Sequence, residues 1–405
     1  MAGSYKAIYV ASPFRYVKRI AIDLVPIRVG EGGAGSGIWT YARELLCAMD
    51  AMVPTGLEVW VLANEKQVPY LELEHIKLRV FPEHPKHILK RLLWVHVQLP
   101  IWCRKNGVDV LHKVATETPW FCSAKRVTTI HDFYYEYLME NHKARSLRLY
   151  ERLEHAYFMF ISHICFAKSQ QLIAVSAATC EEAVRRRPTC EGRITTIQHG
   201  APVIGSGSFN RKNGESFVIL CVAKFMEHKK QHLLIEAFEW MLQTHEELRE
   251  KVTLNLRGFH NDGDYFHRIR KMIKESSACN QIILVPYNSA DTAMDIYGDA
   301  DLVVLLSSYE GFGLPVLEAQ AMGIPVLCSD LDVLKEVGGE GAVYVDRSDV
   351  KEVADILFKF ISDPEFYERV SEGGERNTNR FSWEKSARET LEVYRSVVYL
   401  EATYE

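Results

Sequence analysis

The feature that most limits what this chain can fold into is an alternation of short apolar runs and helical segments, interrupted once. Runs rich in Val and Ile recur at Lys18–Leu24 (KRIAIDL), Leu57–Leu62 (LEVWVL), Asp109–His112 (DVLH), Arg126–His131 (RVTTIH) and Gln171–Ser176 (QLIAVS). Between them apolar residues return every three or four positions, as in Ile38–Met49, which is the period of a helix. Short apolar runs joined by helices describe a parallel sheet covered on both faces. The pattern pauses at Gly205–Ser216 (GSGSFNRKNGES), whose Gly, Ser and Asn suit an exposed connection. A second series follows at Phe217–Val222, Val252–Arg257, Gln281–Val285, Leu302–Leu306, Pro325–Ser329 and Ala342–Val345. The expected fold class is therefore α/β, with two Rossmann-like domains, 1–203 and 217–380, joined by a linker at 204–216 and facing a central cleft. The closing segment 381–405 carries an amphipathic helix, Trp383–Leu400, expected to pack back on the first domain. In open α/β sheets ligands bind beyond the carboxyl ends of the strands, so the cleft is the expected active site.

The totals exclude several other classes. A net charge of -5 argues against a nucleic-acid-coating chain. The 9 cysteines are scattered and form no C-x-x-C pair, which fits a reducing cytoplasm better than a disulfide framework or zinc ribbon. The first residues show no basic segment followed by a long apolar run, so no signal peptide is expected. The most apolar stretch, Tyr157–Ala167, is too short to span a bilayer and reads as a buried helix.

The densest chemical signal is the segment from Ser308 to Leu327, SYEGFGLPVLEAQAMGIPVL, directly after the run Leu302–Leu306. Gly311 and Gly313 bracket Phe312 and allow close backbone approach to a ligand. Pro315 suits the first turn of a helix, whose start, with the N–H groups of Phe312, Gly313 and Leu314, fits a diphosphate. Glu310 at the loop and Glu318 one turn into the helix present two carboxylates that can each accept sugar hydroxyls. A helix cap and a solvated glutamate are the plainer reading of that pair taken alone. Lys224 and Lys229 follow the run Phe217–Val222 and can neutralise a leaving diphosphate, or form a solvated basic run. The glycine-rich Gly30–Tyr41 permits close approach through Gly33 and Gly35, yet lacks the G-K-[ST] of a P-loop. Three D-x-D strings, Asp262/Asp264, Asp299/Asp301 and Asp330/Asp332, read as caps or turns, so no metal or cofactor is expected.

The segment around Glu310-x7-Glu318 resembles the signature of the retaining glycosyltransferases of family 4, which have the GT-B fold. Ala174-Val-Ser, Val222–Phe238 and Phe381-Ser-Trp resemble other pieces of that family, so the likeness covers nearly the whole chain. The resemblance implies transfer of a hexose from a nucleotide-diphosphate sugar to a saccharide or lipid-linked saccharide. It implies that Lys224 and Lys229 hold the phosphates, although Lys224 stands where Arg is usual and Ala223 where Gly is usual. It implies that His131 lies beside the donor sugar, that Glu310 holds the sugar hydroxyls, and that Glu318 holds the ribose. Pro286 and Tyr287 are implied near the nucleotide base. The N-terminal half is similar to bacterial transferases of surface-polysaccharide assembly, many of which use GDP-mannose. A nucleotide-sugar epimerase of the same fold and a non-catalytic sugar-nucleotide binder are the alternatives. Finally, Lys86–Lys105 and Arg145–Phe160 mix basic and aromatic residues at helical spacing. They read as amphipathic core helices or as a face for an anionic membrane.

Overall fold

The computed structural model describes residues 17–29, 34–82, 88–141, 149–202, 216–260, 263–285 and 292–399. The first sheet holds β1 (Lys18–Asp23), β2 (Leu57–Asn64), β3 (Lys77–Phe81), β4 (Val110–Lys113), β5 (Lys125–Ile130), β6 (Gln171–Ala174) and β7 (Ile194–Thr196). Their order is β3-β2-β1-β4-β5-β6-β7, and every pairing is parallel. The second holds β8 (Phe217–Val222), β9 (Val252–Arg257), β10 (Ile282–Val285), β11 (Leu302–Leu305), β12 (Val326–Ser329) and β13 (Ala342–Val345). Its order is β10-β9-β8-β11-β12-β13, again all parallel. The central strand β11 (LVVL) is buried at every position, as β-branched and Leu residues covered on both faces must be, and β4 (VLHK) is buried throughout with Lys113 paired to Asp23. Two strands carry no such run. β3 (KLRVF) is an edge strand whose side chains are largely exposed, with Lys77 paired to Glu58, and β7 spans only three residues.

The chain crosses between the sheets twice, after β7 and again before the helix Trp383–Tyr399. That last helix returns to the first sheet. Its Trp383, Leu391, Tyr394 and Val397 share a buried core with Ile20, Ile22 and Tyr41. Each such side chain contributes roughly 1.5–3 kcal/mol by leaving water. The Tyr394 hydroxyl lies 2.6 Å from His112 Nδ1, and Lys125 Nζ donates to the Val397 carbonyl at 3.0 Å. The helix ends at Tyr399 among the described residues, and 400–405 lie outside them.

The two crossings touch at Gly200. A Cβ built there would overlap the backbone nitrogen and ring of Trp383. Gly200→Ala should therefore push the last helix off the first sheet and cost about 1–3 kcal/mol, the usual penalty for overpacking. Urea unfolding of the two proteins measures it, and equal midpoints would mean that the crossings are loosely packed.

Candidate active site

Both sheets reverse strand order at one point, between β1 and β4 and between β8 and β11. Carboxyl ends at such a switch point diverge and open a crevice. Lys224 and Lys229 leave β8 there, and the loop from Ser307 to Gly313 leaves β11. Lys229 Nζ lies 2.6 Å from Glu310 Oε1, and the Ser307 hydroxyl donates to the same oxygen at 2.7 Å. The turn carrying Lys229 is closed by Lys230 at φ 56, a left-handed residue that directs the chain into the helix Gln231–Thr244. Asp132, from the first sheet, faces this pair. Burial raises its pKa, the Lys229 charge opposes that, and the Glu310 charge adds to it. Two carboxylates thus depend on one ammonium.

Lys224 sits apart from that pair. It has no carboxylate partner among the described residues, and its Nζ lies 6.0 Å from the centre of the Phe259 ring. Burial lowers its pKa, and the charge of Arg28 lowers it further. Arg28 follows β1 on the opposite sheet. Cations from both sides therefore converge on one place, an arrangement suited to an anion.

The Glu310–Gly313 loop is held by the first domain. The Ser176 and Thr179 hydroxyls both donate to the Gly311 carbonyl, at 2.9 and 3.0 Å. A Cβ on Gly311 would overlap the carbonyl oxygen of His131. This close approach is to the protein's own backbone, a correction to the expectation that the glycine serves ligand approach. Phe312 is also reassigned. Its side chain is buried among Val175, Ala201 and Phe381 and lies 4.3 Å, centroid to centroid, from His199, so only its backbone is left for a ligand. Gly313 has φ 97 and starts the helix Leu314–Ala321, with Pro315 in the first turn as expected; Leu314 packs between two cores. One turn on, Glu318 accepts from the Tyr297 hydroxyl at 2.5 Å. Burial raises its pKa, and the Tyr297 hydrogen bond opposes the rise.

His131 Nε2 lies 2.8 Å from the Val114 carbonyl, so Nε2 carries the hydrogen and Nδ1 is left as an acceptor. Burial holds its pKa down to about 4. His112, fully buried between Tyr394 and Thr129, is depressed by burial to about 3. His199, stacked on Tyr41 and Trp383, is also held well below the usual histidine value by burial.

Of the other expected site residues, Gly35 lies in the first turn of the helix Ala34–Asp50, while Gly33, Pro286 and Tyr287 lie outside the described residues. Arg28, Asp132, Tyr297 and Ser307 join the site without having been read from the sequence. Asp132 and Ser307 adjoin residues or runs that were singled out; Arg28 and Tyr297 are placed only by folding. Among the D-x-D residues, Asp301 accepts from the Val218 amide at 2.7 Å, Asp330 pairs with Lys335 and Asp332 opens a helix; Asp262 lies outside the described residues. Among the described residues no group of three or more His, Cys, Asp and Glu is placed to hold a metal ion.

Comparison with known proteins gives the following. The model of the Glycosyltransferase Family 4 domain matches residues 35–203, and that of Glycosyl transferases group 1 matches residues 208–377. O-antigen chain mannosyltransferase B of Escherichia coli is 35% identical over 100 residues, which is 25% of this chain and 26% of that protein. D-inositol 3-phosphate glycosyltransferase of Streptomyces bingchenggensis is 24% identical over 408 residues, covering 94% of this chain and 89% of its own. The crystal structure of HepE from Anabaena in complex with UDP-glucose superposes with a TM-score of 0.70 at 15% identity, covering 93% of this chain and 99% of that one. That likeness is one of fold.

The depressed histidines make stability depend on pH. A native pKa below the unfolded value of about 6.5 means that the unfolded chain binds more protons between the two values. Stability is complete above about pH 6.5 and is lost as the pH falls toward about 4. His112 and His131 should each remove about 2 kcal/mol by pH 5. Urea unfolding at pH 7.5 and 5.0 tests this, with the double variant His112→Gln/His131→Gln expected to shrink the difference and His199 to keep the remainder.

Proposed function

The chain belongs to glycosyltransferase family 4 and has the GT-B fold, and from that premise we propose that it moves a hexose from a nucleotide-diphosphate sugar to a saccharide or lipid-linked saccharide with retention at the anomeric carbon. The division of labour follows the two sheets. Residues 1–203 form the acceptor side and 217–380 the nucleotide-sugar side, and the helix Trp383–Tyr399 returns to the first. The observation that carries this reading is the Lys229–Glu310 pair at 2.6 Å, with Lys224 leaving the same end of β8 and having no carboxylate partner among the described residues. Two ammonium groups and a carboxylate gathered at one switch point match a diphosphate with a hydroxylated ring attached.

In the proposed reaction the acceptor hydroxyl attacks from the face the diphosphate leaves. The bond from the anomeric carbon to the phosphate oxygen breaks, the bond to the acceptor oxygen forms, and the acceptor proton passes to the departing diphosphate. Lys224, Lys229 and the helix start at Gly313 and Leu314 stabilise the diphosphate. Arg28 adds a further charge from the opposite sheet. Glu310 holds the sugar hydroxyls, Glu318 with Tyr297 the ribose, and neutral His131 offers Nδ1 to the donor sugar. No carboxylate is needed as a nucleophile, unlike in retaining glycosidases. GDP-mannose is the leading donor, supported by the 35% identity to the O-antigen chain mannosyltransferase over 100 residues. A UDP-sugar is the second reading, favoured by the fold shared with a protein solved with UDP-glucose.

Thermal unfolding with GDP, UDP, dTDP and ADP separates the donors. The true nucleotide at about 100 times its Kd stabilises by about 2.7 kcal/mol, and Lys224→Ala should lose most of that shift. Glu310→Ala should fold normally and abolish transfer. Equal turnover in mutant and wild type would remove Glu310 from the mechanism.

A further inference from the structure

The helix Ile88–Leu93 continues through one π turn, Trp94–Gln98, into the helix Leu99–Lys105. Pro100 has no N–H for the regular ladder, and the Leu99 N–H reaches the Trp94 carbonyl one residue further back than in an α-helix. The inner side, Trp94, Val95, Leu99 and Cys103, is buried. The outer side carries Leu89, Leu93, Val97 and Ile101, four residues apart and 45–76% exposed. Trp120 continues this surface, its ring 4.7 Å from His96 and 5.8 Å from Phe160, and Phe121 beside it is 80% exposed. Of the 17 exposed large hydrophobic residues among those described, nine fall in 88–121 and 153–160, so the apolar surface is concentrated here. A patch of that kind marks an interaction surface.

Its charge selects the partner. Residues 88–105 contain Lys90, Arg91, Arg104 and Lys105 and no Asp or Glu, in a chain of net charge -5. Lys90, Arg104 and Lys105 are exposed, against one exposed carboxylate, Glu154, in the second stretch of the patch. Protein interfaces are depleted in lysine, whereas an anionic bilayer takes up both apolar side chains and a rim of cations. We propose that this face docks the protein on an anionic phospholipid bilayer. Arg91 ties the face to Glu117 at 2.7 Å in the segment after β4, so it begins at the carboxyl edge of the first sheet, which borders the cleft. The proposal rests on the transferase reading in one respect: it makes the acceptor a lipid-linked one, presented at the cleft rim. Among the described residues no helix is long and apolar enough to cross a membrane.

Co-sedimentation of the full chain with vesicles tests this, comparing phosphatidylcholine alone with phosphatidylcholine mixed with phosphatidylglycerol. Binding is expected only to the mixed vesicles and should weaken with salt. Lys90→Glu/Arg104→Glu/Lys105→Glu should weaken it by roughly tenfold or more. Leu89→Ser/Leu93→Ser/Phe121→Ser should abolish it. Both variants should keep the wild-type nucleotide-induced rise in Tm, which certifies their fold and donor site. Equal binding to both vesicle types, or binding retained in both variants, would overturn the proposal. So would a wild-type dimer that the apolar variant turns into a monomer while vesicles capture neither, since the face would then join two copies of this chain. Vesicle binding without any nucleotide-induced rise would instead count against the transferase reading alone.

Discussion

The close contact between Gly311 and the carbonyl of His131 is the constraint on which the rest of the site depends. It joins a loop of the second sheet to the end of a strand of the first, with no room for a side chain between them. The Ser176 and Thr179 hydroxyls grip the Gly311 carbonyl, and the Tyr309 hydroxyl accepts from the Phe133 amide at 2.6 Å. Glu336 spans the same seam, accepting from the Ala177 and Ala178 amides at the start of the helix Ala177–Arg186. A carboxylate there satisfies helix-end N–H groups that have no intrahelical partner. These contacts set where Glu310 and Glu318 stand relative to His131 and Arg28.

The electrostatics follow from that closeness. Groups pressed into the seam lose water, and each leans toward its neutral form: the histidines and Lys224 downward in pKa, Asp132 and Glu318 upward. A site assembled from partly desolvated cations and carboxylates is preorganised for a ligand of complementary charge. On the proposed reading that ligand is a diphosphate near Lys224 with a sugar whose hydroxyls reach Glu310.

Most of the architecture was legible because burial on both faces leaves a mark in the sequence. The runs FVILCV and LVVLL can only be strands covered on both sides, and their observed limits match the expectation closely. β3 and β7 escaped because an exposed edge strand needs no apolar run and a three-residue strand shows no period. The stretch around 88–105 was legible as a helix, but the sequence left open whether it is a core helix or an outward, membrane-facing one. Its inner and outer sides are both apolar, and only packing distinguishes Trp94, which is buried, from Leu93, which is not.

By itself the sequence determined the fold class, the two series of strands, and the loop carrying Glu310, Gly311, Gly313 and Glu318. Each of these rests on local chemistry: periodicity, glycine where the backbone turns left-handed, proline in a first helical turn. Only the tertiary structure decided what those residues face. Gly311 is required by a carbonyl 180 positions earlier in the chain. Phe312 belongs to a core shared by both crossings, Lys224 has Arg28 for a neighbour, and Glu318 meets Tyr297. Such partners are distant in sequence, and only the docking of one sheet against the other brings them within reach.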